Sequence, residues 1–342
     1  MKILYLYSGI RKDKFRGAIG IDYPDTQFYG LNHLSKFGID AEYKEPRKLP
    51  GFRLRHFLMY FASRKYDIVF GPSIFYMMLW RKIFPAKAKF VLLNINLTRT
   101  LAANKGNFRL RIIRWLLKEI DAVVCLTNVQ KEYLERYMPF LKGKLYFAPF
   151  GVDINYHKPV YGGRKKYILS AGRDNGRDYK TVIETARLMP NEEFHIVASR
   201  RNLIGIKEIP NNVRIFFDLS PKEVYGKYRE AGILLLITHD DAFQDGSDCS
   251  GQTVLVEAMA SGLPIIVSRK RYLRDYISDG KEALFVDFYK PVKIAEKIKF
   301  FNNTNIGLKL AKSARERAER DFSTKKMAEK LSKIFKSLCI LC

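Results

Sequence analysis

Residues 250–267 read Ser250-Gly251-Gln252-Thr253-Val254-Leu255-Val256-Glu257-Ala258-Met259-Ala260-Ser261-Gly262-Leu263-Pro264-Ile265-Ile266-Val267. The polar start and the apolar run Val254–Ala260 predict a helix, ended by Ser261-Gly262 and followed by a strand from Pro264. Glu257 is the odd residue in that helix. A buried, unpaired carboxylate costs several kcal/mol, so Glu257 must reach solvent or a partner. It lies four residues after Thr253, on the same helix face and about 6 Å further along the axis. Backbone N–H groups at Gly251–Thr253 suit a phosphate, and a carboxylate one turn on suits a ribose diol. Together they outline a nucleoside diphosphate. A glutamate on the solvent face of an ordinary amphipathic helix is the plainer reading of the same pattern.

Working outward, the loop His239–Thr253 precedes this helix and follows the apolar run Ile233–Thr238, which reads as a strand. Further strands are expected at Tyr167–Ala171, Phe194–Ala198, Val213–Phe217 and Ala283–Val286, with helices between them. The first half repeats the alternation. Its expected strands are Ile3–Tyr7, Ala41–Lys44, Asp67–Phe70, Phe90–Ile95, Ala122–Leu126 and Leu145–Ala148. Its expected helices are Gln27–Phe37, Leu54–Lys65, Leu110–Lys118 and Gln130–Tyr137. This spacing predicts an α/β chain with two doubly wound parallel sheets facing a cleft. The polar stretch Asn155–Lys166 is the linker candidate. The expected domains are residues 1–153 and 154–320. Residues 321–342 are expected to form an amphipathic helix, with Met327, Leu331, Ile334 and Leu338 on one face, packing back toward the N-terminal domain.

Open α/β sheets bind ligands beyond the carboxyl ends of their strands, which directs attention to one more loop. Gly172-Arg173-Asp174-Asn175-Gly176-Arg177-Asp178-Tyr179 follows the Tyr167–Ala171 strand, and two arginines there suit a diphosphate. Ion pairs with Asp174 or Asp178 are the structural alternative.

Composition narrows the partners. Of 342 residues, 61 are Lys or Arg and 35 Asp or Glu, a net charge of +26. Between Pro46 and Lys118 there are 16 basic residues, and Asp67 is the only acidic one. Such a field attracts polyanions. Four cysteines make no disulfide framework, which predicts a cytoplasmic chain, and Cys339 with Cys342 lacks the second pair a zinc site needs. No metal is expected. No apolar run reaches the roughly 20 residues of a spanning helix. Arg109-Leu110-Arg111-Ile112-Ile113-Arg114-Trp115-Leu116-Leu117-Lys118 mixes cations with bulky apolar groups, as a helix lying in a membrane interface does. Residues 46–118 are therefore a candidate surface for peripheral docking on the inner face of an anionic membrane. The competing reading turns the apolar groups into the core and only the cations outward.

The run from Ser250 to Val267 resembles the EAMA-x-G-x-P signature of family 4 glycosyltransferases, which have the two-domain GT-B fold. Phe150-Gly151-Val152-Asp153 resembles that family's interdomain turn, and Ala171-Gly172-Arg173 its phosphate loop. The resemblance covers about residues 145–290, and the N-terminal half only by layout. It implies a retaining transfer of a hexosyl group from a nucleotide sugar to an acceptor hydroxyl, possible acceptors including a lipid-linked glycan. A UDP-sugar is the first expectation, with GDP- and ADP-sugars as alternatives, and the nucleotide sugar is a substrate, so no cofactor is implied. The implied catalytic residues are Arg173, Arg177 and Glu257. Gly172, Asp248, Cys249, Ser250, Gly251, Gln252 and Thr253 are implied at the donor, together with a glycine after the first strand, Gly17 or Gly20, with Gly17 in the basic run. Asn94 or Asn96 stands where an acceptor-side histidine is sometimes found. Two departures matter. The family's first acidic residue, eight positions before Glu257, is here Cys249 with Asp248 beside it. The family's lysine after the phosphate-loop arginine has no match at equal spacing; Arg177 is the nearest cation and Lys180 the second choice.

A nucleotide-sugar epimerase of GT-B fold is the nearest enzymatic rival, but the five histidines do not cluster as its acid/base chemistry would want. A basic nucleic-acid binder would account for the charge. It would leave Glu257 and the arginine loop without a purpose, so no nucleic acid is expected.

Overall fold

The computed structural model describes residues 1–7, 23–44, 52–161, 166–243, 245–246 and 249–340. Two compact units partition it. One comprises residues 25–149 with 1–7 and the C-terminal residues 324–340; the other comprises residues 150–323 with 23–24.

The first unit is a six-stranded sheet of β1 (Lys2–Leu6), β2 (Asp40–Lys44), β3 (Ile68–Gly71), β4 (Lys89–Asn94), β5 (Ala122–Cys125) and β6 (Leu145–Phe147). The order is β2-β1-β3-β4-β5-β6 and every pairing is parallel. Its helices are α1 (Phe52–Ser63), α2 (Met78–Ile83), α3 (Leu97–Ala103), α4 (Phe108–Leu117) and α5 (Asn128–Tyr137). β3, β4 and β5 are nearly continuous buried apolar runs, as strands covered on both faces must be.

The second unit repeats the plan with β7 (Tyr167–Ala171), β8 (Phe194–Ala198), β9 (Val213–Phe217), β10 (Ala231–Leu236), β11 (Ile265–Ser268) and β12 (Leu284–Val286), in the order β12-β11-β10-β7-β8-β9. All pairings are again parallel. Its helices are α6 (Tyr179–Arg187), α7 (Pro221–Glu230), α8 (Gln252–Ala260), α9 (Pro291–Asn302) and α10 (Ile306–Asp321). A last helix, α11 (Thr324–Ile340), belongs to the first unit. Phe335 on it is fully buried, with its ring 5.2 Å from that of Phe70 on β3.

The expected helix Gln27–Phe37 is instead two short 3-10 segments, Asp25–Phe28 and Leu31–Phe37. They are broken at Tyr29 and Gly30, both with positive φ. A Cβ on Gly30 would lie 2.9 Å from the backbone nitrogen of Ala328 on α11. Close approach of the C-terminal helix thus sets the break, a tertiary cause that local propensity does not carry. Among the described residues the chain passes between the units at 24/25, at 149/150, ahead of the expected linker, and at 323/324.

Candidate nucleotide site

In the second unit, the loops after β7 and β10 meet at the carboxyl edge of the sheet. Backbone bonds join them: Asp178 N donates to Ile237 O at 3.1 Å and His239 N to Gly176 O at 2.9 Å. The Asp178 carboxylate caps α6 through Thr181 N at 3.0 Å, so it is spent on the helix terminus and does not pair with an arginine.

Arg177 sits inside this junction with 2% of its surface exposed. Its Nη2 donates to Ala171 O, while Nε and Nη1 have no hydrogen-bond partner and no carboxylate pairs with it among the described residues. Two glycines wall the guanidinium. A Cβ on Gly172, at φ +146°, would lie 2.7 Å from Nε; one on Gly251, at φ +89°, would lie 2.8 Å from Nη1 and 2.5 Å from Leu236 Cδ1. Gly251 is also the N-cap of α8, so the cation lies beside the positive end of a helix that follows directly. Three more buried polar atoms lack partners here among the described residues: Ser250 Oγ, Thr238 Oγ1 and Asn175 Oδ1. Buried polar groups are ordinarily satisfied, and an uncompensated buried cation is the costliest exception. The arrangement is suited to an anion with several acceptor oxygens.

Glu257 lies one turn into α8 with its side chain 16% exposed. Tyr228 on α7 donates its hydroxyl to Glu257 Oε2 at 3.1 Å, and His157 Nε2 lies 4.0 Å from Oε1. Burial pushes the carboxyl up to about 7, and the Tyr228 hydrogen bond opposes it. Burial, helped by Arg315, pushes His157 down to about 3, so its ring is neutral. Tyr228 itself is raised by burial and by the Glu257 charge, and lowered by Arg177. Tyr228 thus stands within the fields of both the buried cation and the carboxylate.

The two arginines of the β7 loop do not converge. β7 lies between β10 and β8. Arg177 lies on the β10 side, whereas exposed Arg173 sends Nη2 to Leu219 O at 3.3 Å, in the loop after β9. The expectation is that both grip one anion; in this loop conformation the two guanidinium groups take different partners, Ala171 O for Arg177 and Leu219 O for Arg173. Lys180, the second choice for a cation, is exposed and lies 4.0 Å from Glu184 on its own helix.

Of the other donor-side candidates, Gly172, Ser250 and Gly251 line the Arg177 junction. Gln252 turns its side chain to the Tyr276 hydroxyl inside the unit, so it holds the helix start rather than facing the anion site. Thr253 is half-buried on the Glu257 face, and Cys249 is half-buried and not in a disulfide. Gly17 and Asp248 lie outside the described residues. In the first unit Asn94 is fully buried. Its amide donates to Thr98 Oγ1 at 2.9 Å, and its Oδ1 accepts from Leu97 N at 2.9 Å. Asn94 therefore starts α3 and is not available to an acceptor. Asn96 is exposed at the N-cap of that helix.

Tyr228, His157 and Arg315 had no signal in the sequence. Arg315 on α10 donates Nη1 to the carbonyls of His157 at 2.6 Å and of Ala260, and Nη2 to that of Ile154 at 3.1 Å. One guanidinium thus ties residues 154–157 to the end of α8. Hydrogen bonds to a charged donor are worth about 1.5–3 kcal/mol each. Arg315→Met is accordingly expected to destabilise the chain by about 3 kcal/mol or more in chemical denaturation.

Residues 158–321, all within the second unit, match the family described as glycosyl transferases group 1. That match and the fold together support a GT-B glycosyltransferase. A sucrose-phosphate synthase from Thermosynechococcus elongatus is similar in structure at TM-score 0.75 and 15% identity, covering all of both chains. A glycosyltransferase from Rickettsia africae is similar at TM-score 0.66 and 17% identity, covering 99% of this chain and 98% of that one. Anabaena HepE, solved with UDP and glucose, is similar at TM-score 0.70 and 14% identity, covering 98% of this chain and 100% of its own. At these identities the likeness establishes the fold, GT-B. No curated protein sequence matches the chain. No helix among the described residues is long and apolar enough to cross a membrane.

Proposed function

We propose that the chain is a retaining, family 4 glycosyltransferase that moves a sugar from a nucleotide sugar to a hydroxyl of a lipid-linked glycan at an anionic membrane surface. The observation that carries the donor half is Arg177, a buried cation beside the start of α8 whose Nε and Nη1 have no partner among the described residues. A nucleoside diphosphate leaves as a stabilised anion, so the protein's task is mainly electrostatic. Arg177 and the first amides of α8 hold the diphosphate and take up the charge that grows as the glycosidic bond breaks. Glu257 accepts from the ribose hydroxyls through Oε1, its other oxygen being held by Tyr228. UDP is the first choice of nucleotide, since HepE of the same fold was solved with UDP and with UDP-glucose. Incubation with UDP-, GDP- and ADP-sugars tests the reading. Release or transfer of sugar with formation of the nucleoside diphosphate supports it; interconversion of the sugar without release points to an epimerase.

The acceptor half rests on α4. Its inward stripe, Leu110, Ile113, Leu116 and Leu117, packs on the core of the first unit. A second stripe, Phe108, Ile112 and Trp115, is spaced i, i+4, i+7 and is 69%, 44% and 46% exposed. Exposed Arg109, Arg111, Arg114 and Lys118 are interleaved with it. Core packing alone does not account for the outer stripe, and cations around protruding aromatic groups suit an anionic bilayer. Replacing Phe108, Ile112 and Trp115 together by serine is expected to weaken sedimentation with anionic vesicles about tenfold or more, with UDP affinity unchanged. Equal sedimentation of parent and variant at low salt would dismiss the docking role.

A further inference from the structure

We propose that Cys249 is a site of reversible mixed-disulfide formation with anionic thiols, and that the adduct closes the anion site at Arg177. The proposal rests on the reading of Arg177 as an anion receptor and adds a regulation of that same site. Cys249 stands two residues before Gly251, the N-cap of α8, and its carbonyl accepts from Gln252 N at 3.0 Å in the turn that opens the helix. It is half-buried and not in a disulfide. Tyr272 holds this turn from inside the unit, its buried hydroxyl donating to Ser250 O at 2.9 Å. Burial raises that hydroxyl, the charge of a Cys249 thiolate raises it further, and Arg177 lowers it. Thiol and guanidinium therefore act on one buried oxygen from the same neighbourhood. Arg177 Nη1 is aimed at this turn, 2.8 Å from where a Cβ on Gly251 would lie. That nitrogen and Ser250 Oγ, both on side chains of almost fully buried residues, lack hydrogen-bond partners among the described residues.

The thiolate is the nucleophile in disulfide exchange, and cations and helix N-termini favour it. Arg177 and the start of α8 supply one of each. The carboxylates that share the neighbourhood are engaged: Asp174 Oδ1 accepts from Gly176 N at 2.8 Å, and Asp241 lies 3.4 Å from Lys270 Nζ. In the step, the Cys249 thiolate attacks one sulfur of a low-molecular-weight disulfide. A new S–S bond forms as the old one breaks, and the other half leaves as a thiolate that takes up the proton Cys249 released. Charge selects the co-reactant. A disulfide bearing carboxylates, such as glutathione disulfide, meets the cation that has no carboxylate of its own, and the attached half then fills the space in front of α8. Cys125 on β5 is fully buried and has no such access.

Mass mapping of the full chain treated with glutathione disulfide tests this. The Cys249 adduct is expected to form about threefold or more faster in the folded chain than in the same chain in urea, the reverse of what an inert buried thiol shows. Cystamine, a cationic disulfide, should react more slowly with the folded chain, and Arg177→Met should narrow that preference about tenfold. Inorganic pyrophosphate, as the probe of the anion site, should slow the adduct. The adduct in turn should weaken calorimetric pyrophosphate binding about tenfold or more, and dithiothreitol should restore it. UDP run in parallel separates the two readings. Protection by pyrophosphate without protection by UDP upholds the proposal and sinks the donor-site reading. Adduct formation slower than in urea, in a chain that binds UDP, overturns the proposal and leaves the donor site standing. A charge preference unmoved by Arg177→Met, or an adduct indifferent to pyrophosphate, would also overturn it.

Discussion

Arg177→Met is expected to lower kcat/KM by about 10²–10³ while leaving the fold no less stable than the parent. The two halves of this expectation come from one observation. The guanidinium is buried, unpaired by any carboxylate among the described residues, and satisfied at only one of its three nitrogens. Desolvating a cation costs several kcal/mol, and removing an uncompensated one relieves that cost. Methionine fills similar space, so the principal structural loss is the bond to Ala171 O, about 1.5–3 kcal/mol, which the relief of desolvation offsets. The diphosphate loses its main cationic donor, and the barrier rises accordingly. Steady-state kinetics, UDP calorimetry and thermal denaturation on the same preparation test this. A variant that melts early yet binds UDP as the parent does would make Arg177 a structural residue and remove the basis of the donor site.

The second large effect is in pH dependence. Ordinary values are 4.5 for the glutamate and 6.5 for the histidine, against about 7 and about 3 in the folded chain. Between about pH 4.5 and 6.5 the folded chain carries one proton, on Glu257, and the unfolded chain one, on His157. Their contributions to the slope of stability therefore cancel in that window. Single substitutions unmask opposite slopes. Glu257→Gln leaves the depressed histidine, so stability is full above pH 6.5 and is lost as pH falls toward 3. His157→Phe leaves the raised carboxyl, so its stabilisation is full below pH 4.5 and is lost as pH rises through 7. Each excursion is on the order of 3 kcal/mol, readable in denaturation series from pH 4 to 8. Ribose hydroxyls donate best to the ionised carboxylate. UDP affinity of the parent should fall toward tenfold per unit below pH 7, and that of Glu257→Gln should stay flat. Parallel stability curves for parent and both variants would separate the two groups and refute their coupling.

The sheets were legible because buried parallel strands are continuous apolar runs, and Ile68–Gly71 or Ile265–Ser268 admit few other readings. The glycine-flanked start of α8 and the lone Glu257 were legible for the same local reason. What was not legible depended on distant chain. Helix α3 begins on Asn94, a residue still in β4, so no N-cap pattern announces it. Tyr228 meets Glu257 across 29 residues, and His157 across 100; no spacing rule covers either. The divergence of Arg173 and Arg177 followed from the turn at Gly172, whose dihedral angles are not written in the identity of its neighbours.

The helix Thr324–Ile340 buries Met327, Ala328, Leu331 and Phe335 in the unit that the chain left at residue 149. During synthesis, the earlier sheet must therefore wait for the whole intervening unit before its covering helix emerges from the ribosome. Until then Phe70 and the backbone at Gly30 lack their cover. A nonsense mutation near codon 324 would harm the half of the protein made first.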